Sequence, residues 1–162
     1  METGQPLHGR IALDFTQGIA GPYAGRLLAE HGARVIKVEP PEGDWIRSIG
    51  SGPGGVSVNF LYYNLGKESV TLDLKTPEGV AAALAIAARA DVVLESARPG
   101  VMDRLGLGFS AVRARNPRVV YLSVSGFGLT GPRATDPMTD TVAQAWSGMM
   151  SINRGMDGAP HK

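Results

Sequence analysis

Residues 11–39 read IALDFTQGIAGPYAGRLLAEHGARVIKVE. Two short apolar runs, 11–16 and 34–39, flank a stretch with helical character. Gly21-Pro22 opens the helix over 23–30, because proline suits a first helical turn. His31-Gly32 closes it, since glycine tolerates a left-handed cap. Pro40-Pro41 stops the second run. Strand, helix, strand in under thirty-five residues is the pattern of a parallel crossover unit.

The alternation continues downstream. A Gly- and Ser-rich loop covers 42–57, and a short helix is expected over 59–65. Residues 69–74 read as a third strand. Thr76 then caps a helix with Pro77 in its first turn, running to about residue 90. Residues 91–95 form a fourth strand, 109–115 a short helix ended by Asn116-Pro117, and 119–124 a fifth strand. A last helix is expected over 139–150. Five apolar strands interleaved with helices predict a parallel sheet covered on both faces. Such sheets bind ligands at the carboxyl ends of their strands. The loops after Thr16, Glu39, Leu74, Glu95 and Val124 are therefore the ones to inspect.

Composition narrows the function classes. The 162 residues are 43% hydrophobic and 19% charged, as in ordinary globular domains. A net charge of +1 carries no basic excess for nucleic acid. Cysteine is absent, which removes disulfides, thiolate metal sites and a cysteine nucleophile. His8, His31 and His161 show no metal spacing. No apolar run reaches membrane-spanning length, and residues 1–9 lack a signal-peptide core, so a soluble cytoplasmic protein is expected. The polar end, residues 151–162, reads as a loop with nothing after it to pack, which fits a fragment or a frayed terminus equally.

Several residues invite a chemical reading. The loop Gln17, Gly18, Ile19 and Ala20 lies between strand and helix, where free N–H groups can meet a phosphate. Glu39 follows Gly18 by twenty-one residues, about where dinucleotide folds place a ribose-binding acid. Gly18, Gly21 and Gly25 do not make G-x-G-x-x-G, however, and Pro22 removes a donor. Lys75, Arg98 and Arg104 follow strand ends and form a candidate set for phosphate oxygens; singly, each reads as a solvated charge. Asp140 suits a helix start and Asp136 a turn. No Ser-His-Asp arrangement or G-x-S-x-G is legible. Trp45 and Trp146 each read as a core residue or as part of a pocket wall, with the core reading favoured.

The text of the sequence goes further than its pattern. Leu13-Asp14-Phe15-Thr16 with Ala20-Gly21-Pro22 resembles the opening of the class III CoA-transferases, a family that includes formyl-CoA and carnitine CoA-transferases. Gly32-Ala33-Arg34-Val35-Ile36-Lys37-Val38-Glu39-Pro40, with Gly43-Asp44 and Arg47, is similar to its next segment. Leu72-Asp73-Leu74-Lys75-Thr76-Pro77-Glu78-Gly79, Arg98-Pro99-Gly100, Arg104-Leu105-Gly106, Asn116-Pro117, Ser125-Gly126-Phe127-Gly128 and the stretch Asp140–Gly148 follow in family order.

The resemblance implies a Rossmann-like α/β domain, residues 1–162, forming the CoA-binding N-terminal part of a larger interlocked homodimer. It implies CoA transfer from an acyl-CoA to a carboxylic acid acceptor; charge, residue spacing and hydropathy add the expectation of no metal, nucleic acid or membrane partner. The loop 17–20 would lie beside the pantetheine arm and thioester. Leu72 and Lys75 would meet the adenine and phosphate end, and residues 98–104 the diphosphate and 3′-phosphate. The family's nucleophilic aspartate follows a Gly-x-Pro loop, here Gly158-Ala159-Pro160, so it is expected after Lys162; Asp140 and Asp157 are not in its position. The second domain is likewise expected outside the chain, and 1–162 alone is expected to be inactive. Two departures stand out: Ser96 replaces a usual asparagine, and Glu68 a usual basic residue. The related α-methylacyl-CoA racemases carry a catalytic histidine before the aspartate matching Asp140. Thr139 stands there, and a hydroxyl cannot serve as that base near neutral pH. A CoA-binding module without chemistry is the other reading, with an NAD-binding domain last.

Overall fold

Alternation along the strands sends every second side chain to the same face, and this sorts the sheet into two cores. In the computed structural model, which describes residues 4–156 and 158–159, the first strand β1 is Ile11–Asp14. Helix α1 spans Ala20–Glu30, β2 Arg34–Glu39, α2 Val58–Asn64, β3 Glu68–Thr71 and α3 Pro77–Ala87. Strand β4 is Val92–Glu95, followed by α4 Val101–Arg104, α5 Phe109–Arg115 and β5 Val120–Ser123. The sheet is parallel throughout with order β3-β2-β1-β4-β5. Strand order reverses between β1 and β4, so the loops after Asp14 and Glu95 diverge at that point.

Leu13, Val38 and Val93 face one core with Ala83, Ala87 and Val112. Ala12, Val35 and Leu94 face the other, against Ala24 and Leu28 of α1. Helices thus cover both faces, as the apolar strands require. Thr76 caps α3: its Oγ1 accepts the Gly79 N–H at 3.1 Å and donates to the Asp73 carbonyl at 2.8 Å. At the other end Asn116 donates to the carbonyls of Ala87 and Ala90, at 3.2 and 2.7 Å, which locks α5 beside the end of α3.

Most expected elements are present, with shifted ends. β1 stops at Asp14 rather than residue 16, and β3 runs over 68–71 rather than 69–74. Helix α1 begins at Ala20, three residues before the expected start, with Pro22 inside its first turn, where the missing N–H costs nothing. The turn Val101–Arg104 was not anticipated, since four residues carry no readable period. The chain forms two compact units, one ending at Val124 and one beginning at Ser125. In the second, Gly148 at φ +78° divides the expected single helix into α6, Asp140–Trp146, and α7, Met149–Ile152. Both tryptophans correct the core reading. Trp45 is 54% and Trp146 60% exposed. Trp45 lies over Gly18 outside the sheet, and Trp146 packs on Phe127 and under Arg133.

Candidate functional site

The period of two also places Asp14, Lys37, Glu39 and Ser69 on the α1 face of the sheet, near the carboxyl ends of their strands. Asp14, Lys37 and Glu39 are buried there, Ser69 lies exposed at the sheet edge, and their polar groups join in one network. Lys67 Nζ donates to Asp14 Oδ2 at 2.7 Å, the Pro22 carbonyl at 2.8 Å and Asn64 Oδ1 at 2.9 Å. All three ammonium donors are therefore used. Burial pushes the Lys67 ammonium below its ordinary pKa, against the pull of Asp14. Lys37 Nζ donates to Asp44 Oδ2 and to the Thr16 carbonyl, both at 2.8 Å. Asp44 also accepts the N–H groups of Gly18 and Ile46, each at 3.1 Å. Glu39 accepts both forks of Arg47, at 2.7 and 2.8 Å, and the Ser69 hydroxyl at 2.8 Å. Burial alone would raise the Glu39 carboxyl, but Arg47, Ser69 and the Asp44 N–H outweigh it and hold it at about 2.

This network holds the loop after β1. Gly18 has φ +79°, a conformation that favours glycine. A methyl there would also stand 2.5 Å from the Trp45 ring. Gly25 lets α1 approach the Asp14–Lys67 pair, since its Cβ would meet Asp14 Oδ2 at 2.6 Å. The glycines that break the dinucleotide motif thus have their own packing reasons. The Gln17 N–H donates to Ser96 Oγ at 3.1 Å, joining the two loops at the strand-order reversal. Gln17, Ile19 and Ala20 are exposed and Gly18 is buried beneath them.

A second feature lies at the end of β3. A groove of about 490 Å³ is floored by Val80, Leu84 and Leu105 and rimmed by Lys75, Arg104 and Arg115. Among the described residues, no acidic side chain lines it. Among the described residues, none of the three cations forms an ion pair. The volume falls within the range of about 300–1,000 Å³ usual for small-molecule sites. Lys75 and Arg104 are brought together as the sequence suggested. Arg98 is exposed but does not line the groove, and Leu72 packs into the core while Leu74 takes its place at the rim. A larger cavity, about 540 Å³, sits where the strands begin, and its Asp91 is already paired with Arg10. That is the wrong edge of the sheet for a ligand of this fold.

The remaining candidates have structural partners. Thr139 Oγ1 caps α6 by accepting the Val142 N–H at 3.4 Å. Asp140 accepts from the Gln144 amide at 2.9 Å, and Asp136 pairs with Arg133. Glu68 forms a two-pronged pair with Arg34, both contacts at 2.8 Å. Asp157, Pro160, His161 and Lys162 lie outside the described residues. Among the described residues, no cluster of three metal-ligating side chains occurs and no helix is long and apolar enough to cross a membrane. The buried charge network and Arg115 were not anticipated. A lysine at the fourth position of RVIKVE, inside an apolar strand, was the available signal for the first.

The parallel sheet, with its strand order reversing between β1 and β4, and the groove that starts just past β3 define an α/β domain of the kind that takes ligands at its strand ends. The comparisons narrow this: the chain belongs to CoA-transferase family III, matching it over residues 7–162. It is 44% identical to an acetyl-CoA:oxalate CoA-transferase of Acetobacter aceti, over 96% of this chain and 40% of that protein. It is 40% identical to a succinate–glutarate CoA-transferase of Agrobacterium fabrum, over 97% of this chain and 41% of that protein. A crystal structure of a CAIB/BAIF family protein from Brucella suis superposes with TM-score 0.92 at 37% identity, covering 98% of this chain and 43% of that one. The chain thus spans about 40% of the length of the curated relatives it matches.

Proposed function

We propose that this chain is the CoA-binding part of an enzyme that moves CoA from an acyl-CoA donor to a carboxylic acid acceptor. The observation that carries the reading is the groove beside β3, where Lys75 and Arg104 stand over an apolar floor and, among the described residues, form no ion pair. The floor suits an adenine ring and the cations suit phosphates. Family membership supplies the class of ligand. From there the pantetheine arm runs to the strand-end loops, with the thioester beside Gln17, Gly18, Ile19 and Ala20. Arg98, exposed after β4, is assigned to the diphosphate. Leu72 acts at one remove, through the packing that seats Leu74 and Lys75.

In the chemistry proposed, an aspartate carboxylate that follows residue 162 attacks the thioester carbonyl. The C–S bond breaks, giving a mixed anhydride and CoA thiolate. The thiolate attacks the aspartyl carbonyl, releasing the donor acid and leaving an aspartyl–CoA thioester. The acceptor carboxylate then attacks that thioester, and the freed thiolate takes the acceptor's acyl group, restoring the aspartate. Splitting the exchange this way replaces one difficult step by easier ones. Within the loop 17–20, the N–H groups of Ile19 and Ala20 would stabilise the oxyanions formed, because those of Gln17 and Gly18 are held by Ser96 and Asp44. The working enzyme is proposed to be a cytoplasmic homodimer.

Calorimetric titration with CoA, acetyl-CoA and NAD tests the assignment. CoA and acetyl-CoA should bind and NAD should not. Lys75→Ala and Arg104→Ala should each weaken CoA by roughly 10- to 150-fold, the range for losing a charge-assisted hydrogen bond. Binding of NAD without CoA, or unchanged CoA affinity in both variants, would end the reading.

A further inference from the structure

Arg115 is the rim cation that neither the pattern of the sequence nor the resemblance singled out. It is the last residue of α5, and its neighbour Asn116 is bonded to the carbonyls of Ala87 and Ala90 at the end of α3. Lys75 stands at the opposite end of α3, just before its cap Thr76. The groove passes Pro77, Val80, Ala81 and Leu84 between them. From Pro77 to Leu84 a helix rises about 10 Å. The groove is therefore elongated, with Lys75 near the strand ends and Arg115 remote from them.

CoA has a matching asymmetry. Its 5′-diphosphate joins the nucleotide to the pantetheine arm, whereas its 3′-phosphate projects away from that arm. The arm must leave the groove toward the strand-end loops if the thioester is to reach Gln17–Ala20. The diphosphate then lies at the Lys75 end and the 3′-phosphate points along the groove. On this basis, and resting on the CoA assignment above, we infer that Arg115 binds the 3′-phosphate and makes the groove selective for a nucleoside 3′,5′-bisphosphate end. Its guanidinium carries no ion pair among the described residues and faces no acid in the groove, so a phosphate is its natural counter-ion. Arg113, two residues earlier on the same helix, stacks on Phe109 instead and does not line the groove.

The test is titration of CoA and of dephospho-CoA into the unaltered chain, Arg115→Ala, Arg113→Ala, Lys75→Ala and Arg104→Ala. Arg115 is exposed, so its replacement leaves the fold intact, which circular dichroism of each variant verifies. The unaltered chain should prefer CoA over dephospho-CoA by about five- to tenfold, a modest ratio because the rim is open to water. Arg115→Ala should lose most of that preference by weakening CoA alone, and Arg113→Ala should keep it. If Lys75→Ala and Arg104→Ala weaken CoA while Arg115→Ala keeps the full preference, the role of Arg115 is overturned and the CoA site stands. If the unaltered chain binds neither ligand, both readings fall.

Discussion

Replacing Asp44 by alanine probes the buried network directly. Asp44 and Lys37 are 0% and 1% exposed, and their ion pair is 2.8 Å long. Removing the carboxylate leaves the Lys37 ammonium buried with only the Thr16 carbonyl at 2.8 Å to satisfy it. It also strips the acceptor from the N–H groups of Gly18 and Ile46. Breaking one side of a buried pair costs about 3–5 kcal/mol, because an uncompensated charge remains. Adding Lys37→Met removes that charge and should recover about half of the loss or more. The loop is a separate matter, since the Gly18 N–H has no partner in either variant. Urea unfolding would give the stabilities, and amide exchange at Gly18 would report the loop. The double variant should be more stable than Asp44→Ala yet keep rapid exchange at Gly18. A loss below about 1 kcal/mol in Asp44→Ala, or no recovery in the double variant, would refute the argument that charge burial dominates.

Glu39 predicts an acid-sensitive stability. Its carboxyl is held at about 2 in the folded chain against an ordinary 4.5. A lowered folded pKa contributes stability above the unfolded value and loses it as pH falls through the window from 4.5 to about 2. A shift of that size corresponds to roughly 3 kcal/mol at most, reduced to about 2 because Arg47 is partly exposed. Glu39→Gln should flatten this part of a pH-denaturation profile; an unchanged slope would count against it. Gly18→Ala should cost about 1–3 kcal/mol from the left-handed backbone and the clash with Trp45. Adding Trp45→Ala should relieve only the clash, measured as a partial gain in unfolding midpoint.

The order of elements was legible because it depends on local rules. Apolar runs, Pro40-Pro41, the Thr76 cap and Asn116-Pro117 mark where strands and helices begin and end, and these act over a few residues. β2 and α5 fall at their expected bounds for that reason. The family was legible because its motifs recur in order along the chain. Lys75 and Arg104 could be named because each follows a strand end, and parallel sheets gather those ends at one edge.

What the tertiary structure decided is which distant residues share a space. Asp14 meets Lys67 across fifty-three positions, and Gln17 meets Ser96 across seventy-nine. Such pairings follow from strand register and helix packing, which no local pattern encodes. The same limit hid the charge network: the sequence around Lys37 does not name its partners, which are set only when β1 and β3 flank it and Asp44 folds back over it. It also hid the two exposed tryptophans, whose size suggests a core but of which Trp45 stands on a short turn after β2 and Trp146 at the end of α6. Arg115 lies forty residues from Lys75 in sequence. Only the packing of α5 against α3, held by Asn116, brings the two cations to one groove.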